Sequence, residues 1–202
     1  MGKGPNPDLN YIYIGEIGDN DSKYDSKHIY RIAEFTVPLT HEVFDTLVTG
    51  VDRLAVQLPD GERDSEALVV DPVSTSIFLF SKREEQVHVY EIDNWAAGDQ
   101  TTVARFLLHI PVAQITAADI SRDGTELLLR NYDNIFYWKR DITKPLVSVF
   151  EISGRVLPYV QEPQGESVAF SLDGEGYYTV SEVADGKIPH LIFYKRKPVK
   201  ED

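Results

Sequence analysis

Apolar and polar residues alternate in short runs along this chain, and turn residues cut each run off after a few positions. Between residues 66 and 110 the runs are EALVVD, SIFLFSK, VHVYEID and TVARFLLHI, parted by stretches such as DPVST and DNWAAGDQ. A period of two in β-branched and aromatic residues predicts strands, and the Asp, Pro, Gly and Asn between them predict turns. The chain continues with AADIS, ELLLRNY, IFYWKR and LVSVFEI, with RDG as a hairpin turn, and then with SVAFS, GYYTVSE and HLIFYKR. Ahead of these stand YIYIGEI, HIYRIAEF and DRLAVQL. The best helical candidate, HEVFDTLVTGVDRL, is short and β-branched.

The runs repeat. Residues 164–182, QGESVAFSLDGEGYYTVSE, lie over residues 64–82, DSEALVVDPVSTSIFLFSK, without a gap, so that Glu166 falls on Glu66 and Ser181 on Ser81. Midway, QITAADISRDGTELLLRNY takes the same register with Thr116 in the place of the glutamates. Each third strand carries a tyrosine: Tyr30, Tyr90, Tyr137 and Tyr194. A period of about 50 residues with four short strands per unit is the pattern of propeller blades. The expectation is an all-β propeller of four-stranded antiparallel blades, one domain over 1–202, with repeats near 1–60, 61–111, 112–161 and 162–202. The fourth repeat stops after three strands, and the first begins inside its innermost strand. Four such repeats either close as a small ring or belong to a larger one.

Charge narrows the partners. Twenty basic against 33 acidic residues leave a net charge of −13. That disfavours nucleic acid, whose phosphates want a basic surface, and anionic membranes; it suits cation binding or plain solubility. No apolar run reaches the length of a membrane span, and the opening MGKGPNPDLN has no signal-peptide core. Without cysteine there is no disulfide, thiolate metal site or cysteine nucleophile. His28, His41, His88, His109 and His190 are scattered and form no zinc motif; His88 and His109 alternate within strand patterns and read as surface or packing residues.

The segments GEIGDND (15–21), DSEAL (64–68), AADISRDG (117–124) and QGESVAF…SE (164–182) resemble, in order and spacing, an uncharacterised and mostly bacterial family of secreted β-propellers with GDIGDN, DAEAL and QGEA motifs. More remotely the strand openings look like those of phytase-like and lactonase-like propellers, in which acidic residues around the channel hold calcium. The resemblance implies a secreted or extracellular protein. It also implies a further blade ahead of this point, so that about four of five blades of an incomplete ring are expected here.

In a propeller the innermost strands line a central channel, and second strands end beside the beginnings of first strands. One rim therefore receives Asp64, Glu66, Thr116, Gln164 and Glu166 together with Glu16, Lys82, Tyr132 and Glu182. Carboxylates gathered there repel unless something positive sits among them, and calcium takes six to eight oxygen ligands. Asp19, Asn20, Glu66 and Glu166 are the candidate calcium ligands; Lys82, Arg130, Tyr132, Gln164 and Glu182 are candidate ligand-binding residues. The plainer reading is that the glutamates bond to the next blade and seal the ring, that Asn and Asp in DNDSKYD are turn formers, and that Lys82 and Arg130 neutralise acids. Two functions follow. One is a non-catalytic propeller that binds a small molecule or protein through an acidic rim. The other is a calcium-dependent hydrolase of phosphate esters or lactones, with Glu66 or Glu166 as metal ligand or general base.

Overall fold

A computed structural model of the protein describes residues 1–37, 43, 45–93, 95, 101–184 and 186–197. Its first sheet opens with β1 (Tyr11–Glu16), β2 (Lys27–Ala33) and β3 (Asp52–Gln57), and its second with β4 (Ser65–Val70), β5 (Ile77–Ser81) and β6 (Val87–Ile92). The chain then returns: β7 (Thr101–Val103) adds to the first sheet parallel to β3, and β8 (Arg105–Ile110) closes the second against β6. The third sheet is β9 (Ala117–Ile120), β10 (Glu126–Arg130), β11 (Ile135–Lys139) and β12 (Arg155–Leu157); the fourth has three strands, β13 (Gly165–Phe170), β14 (Gly176–Ser181) and β15 (Ile192–Lys195). The four sheets stand around a ring as a four-bladed propeller. No helix among the described residues is long and apolar enough to cross a membrane.

Two local expectations are corrected. TVARFLLHI is not one strand; it divides at buried Ala104, whose amide donates to the Gln57 carbonyl at 2.9 Å, and its first part covers the edge of β3 that would otherwise be unpaired. LVSVFEI forms a 3₁₀ turn, Leu146–Glu151, because Leu146 and Val149 at i and i+3 both reach the core. The outer strand of that blade is β12 instead. The helix candidate ends inside β3, while His41, Glu42 and Phe44 lie outside the described residues.

Period-two alternation decides which neighbour each side chain meets. All five residues of β5 are buried, since both of its faces are covered by other blades. Ile77 and Leu79 pack with Ile29, Leu54 and Val56 of the first sheet. Phe78 and Phe80 pack with Leu127 and Leu129 of the third. On β10 the odd residue out, Leu128, turns the other way to meet Val168 and Tyr177 of the fourth. The first sheet begins on its channel side with only a Gly2–Tyr11 bridge, in the place that the Val70–Ile77 pair holds in the second.

Ion pairs tie the blades outside these cores. Arg140, just past β11, donates from both terminal nitrogens to Asp71, just past β4, at 2.6 and 3.0 Å, with both side chains buried. Arg196 stands at the same point beyond β15 and grips Glu126 of β10 at 2.8 and 2.5 Å, half exposed. Burial raises the Asp71 pKa, but hydrogen bonds from Arg140, Ser74 and the Val73 amide outweigh it and hold the group below its ordinary 3.8.

Asp71→Ala should therefore cost about 3–5 kcal/mol at neutral pH, since it strands a buried guanidinium; urea unfolding measures this. Because the folded pKa is depressed, the contribution of Asp71 is complete above its unfolded value and is lost as pH falls through the folded one. The gap between wild type and variant should accordingly narrow below about pH 4.

Candidate channel-mouth site

The inner strands β4, β9 and β13 run side by side, and their starts, with the end of β1 and the residues after it, surround a cavity of about 440 Å³. Glu66, Thr116 and Glu166 all line it, as the repeat register predicts. The structure supplies the reason for the two glutamates. In β4 the pairing passes from Ser65–Ser81 to Ala67–Phe80, and in β13 from Gly165–Ser181 to Ser167–Val180. Each glutamate is the extra residue of a β-bulge, a device that turns a side chain out of the ladder. Thr116 does a different job, donating from its hydroxyl to the Gly165 carbonyl at 2.9 Å and so joining β9 to β13.

Around the mouth the polar groups form one line. Lys82 Nζ donates to Glu66 at 2.5 Å and lies 5.2 Å from the centre of the Tyr132 ring. The Tyr132 hydroxyl donates to Glu166 at 3.1 Å. Gln164 Nε2 reaches Glu166 and Glu182, both at 3.1 Å. Burial would lower the Lys82 pKa, but the bonds with Glu66 and Tyr132 outweigh it and raise it, so the ammonium stays charged. Glu182 moves up, because it makes a hydrogen bond with Glu166 and feels that group's charge. Of the two glutamates, Glu166 of the fourth blade meets the Tyr132 side chain of the third, which in turn meets Lys82 of the second, while Glu66 bonds Lys82 within its own blade.

Arg130 is not presented to the mouth. Its side chain is fully buried between the third and fourth sheets, donating to the Ser167 carbonyl at 2.7 Å and the Tyr159 hydroxyl at 2.6 Å and pairing with Glu162. Gly165 makes the room, since a Cβ there would stand 1.5 Å from Arg130 Nη2. Its partners Tyr159 and Glu162 fall in the irregular link between β12 and β13, where no strand alternation marks them. The replacement of Asp-Ser-Glu by Gln-Gly-Glu was the available clue, a small residue opposite a large one.

The four candidate calcium ligands do not assemble as a ligand set. Asp19 is buried under the loop after β1, where it accepts the Lys23 and Tyr24 amides at 2.9 and 3.0 Å and pairs with Lys27 at 3.5 Å. Burial raises its pKa, and these donors more than offset that and lower it. Asn20 bonds to Arg83, which also donates to Asp64 at 2.7 Å. Glu66 and Glu166 are engaged as described. Among the described residues no group of three or more acidic or histidine side chains is close enough to hold an ion. Paired apart from one another in this way, these side chains do not come together as a calcium site.

No protein-family model matches the chain, and no curated protein does. Among solved structures it is similar to hydrazine synthase of Kuenenia stuttgartiensis, with 15% identity, 83% of this chain and 40% of that one covered, and a TM-score of 0.49. A chain of a nidogen/laminin complex gives 11%, 90% and 61% with a TM-score of 0.49. A protein from Lactobacillus plantarum gives 10%, 94% and 54% with 0.43. The chain thus spans between 40% and 61% of the length of these chains.

Gly165→Ala should destabilise the fold by about 1–3 kcal/mol by displacing the buried Arg130 guanidinium, measured by denaturant unfolding. Glu166→Gln should bring the Glu182 carboxyl back down toward its ordinary 4.5, measured by NMR titration of the side-chain carbonyl.

Proposed function

We propose that this is a non-catalytic binding propeller whose channel mouth takes a positively charged group, such as an organic ammonium on a small molecule or a lysine on a protein. The observation that carries this reading is the single amide of Gln164 shared by two carboxylates, Glu166 and Glu182. The nearest cation, Lys82, is already spent on Glu66. Three carboxylates face one ammonium, and an incoming cation relieves the crowding that now raises the Glu182 pKa. The cavity of about 440 Å³ has room for a ligand of a few heavy atoms, and Leu68, Ala118 and Val168 add apolar surface to its lining.

The hydrolytic alternative asks Glu66 or Glu166 to hold calcium or act as a base, and both already have partners. We do not adopt it. An extracellular location rests on the motif resemblance.

Thermal melts with an aliphatic diamine, with calcium and with sodium at matched ionic strength test the proposal. A ligand at ~100 times its Kd adds about 2.7 kcal/mol of stability. The diamine is expected to raise Tm, and Glu166→Gln and Glu182→Gln to abolish the rise. A rise with calcium alone that the same variants remove would replace the ammonium reading by a metal one. No rise with either cation would sink both.

A further inference from the structure

Two histidines that lie 21 positions apart in sequence are direct cross-strand partners, His88 on β6 and His109 on β8. Their ring centres are 4.2 Å apart, with the planes at 55°. His88 is half-buried, and its Nδ1 stands 2.8 Å from Asp60 Oδ2, in the link between the first and second sheets. A carboxylate accepts, so Nδ1 carries the proton and the lone pair is left on Nε2. The Tyr90 hydroxyl holds the arrangement, lying 3.1 Å from Nδ1 and donating to Asp60 Oδ1 at 2.8 Å. Arg63 Nε donates to the same Asp60 oxygen, Oδ2, at 3.2 Å. The exposed His109 ring packs on Phe106 with centres 4.9 Å apart.

We propose that His88 and His109 form a two-histidine site for a divalent transition metal of the zinc class, at the outer part of the second blade and independent of the channel mouth. A carboxylate on the far nitrogen of a metal-binding imidazole is the usual second partner of such a ligand, because it sets the tautomer and raises basicity. Metal–nitrogen bonds of ~2.0–2.1 Å put ring centres about 4.5 Å apart at a right angle and about 5.2 Å apart at the tetrahedral angle. From the present 4.2 Å the exposed His109 ring would move out by about 1 Å to reach the tetrahedral separation. Two imidazoles suit zinc, copper or nickel and not calcium. Among the described residues no third protein ligand stands close enough to complete a cluster. Water fills the remaining positions, which leaves the ion open to an outside ligand.

Calorimetric titration of the chelator-stripped protein with zinc chloride tests this, with NMR of the imidazole nitrogens reading which rings bind. One equivalent is expected, with shifts at His88 and His109. His109→Asn, at an exposed position, should abolish binding while leaving circular dichroism unchanged, and His28→Asn should bind as wild type does. Asp60→Asn should weaken binding about 10–100-fold without changing stoichiometry. Zinc binding that survives in His109→Asn, or no binding by the wild type, would overturn the proposal and leave the two rings as an aromatic packing pair.

Discussion

A strand covered on both faces has no solvent side on which to place a mismatched residue, and the architecture of this protein hangs on two such strands. β5 and β10 each divide their side chains between two neighbouring blades, odd positions one way and even positions the other. Burying a methylene is worth about 0.8 kcal/mol, so a one-residue slip that exchanged the two sets would unmake two interfaces together. The register of these strands therefore sets where every other strand of its blade lies, and with it which residues arrive at the channel.

Polar groups at the blade junctions follow from that packing. Arg130 points away from the channel because its place in the alternation sends it between the third and fourth sheets, where Glu162, Tyr159 and the Ser167 carbonyl engage its two terminal nitrogens. Arg140 and Arg196 sit one step past their strands, outside the alternation, and reach back to acids of the preceding blade. The buried Arg140–Asp71 pair contributes mainly by matching two groups that neither blade could bury alone, while half-exposed Arg196–Glu126 is screened by solvent.

At the channel mouth the same repeat is put to another use. The bulges at Glu66 and Glu166 release these residues from the ladder, and the groups they then meet come from other positions of the repeat: Lys82, Tyr132 and Glu182, three of the four equivalents at the ends of second strands. A cation, a neutral hydroxyl and an acid at one equivalent position give the rim its asymmetry. The surplus of negative charge collects on the side of the fourth blade, and the proposed ligand is drawn to that side.

Much of this was legible in the chain. Strand periodicity, the 50-residue register of Glu66, Thr116 and Glu166 and the shared rim of inner-strand starts and second-strand ends are local or repetitive, and a repeat written in sequence is a repeat in space. The return of β7 to the first sheet was not, because the open edge of β3, three intervening strands back in the chain, and not local propensity makes that pairing favourable. The same holds for the direction of Arg130, the donors around Asp19 and the meeting of His88 with His109. Alternation states that a side chain leaves one face of a strand; only the neighbouring strand's register and the links between blades decide what it meets there.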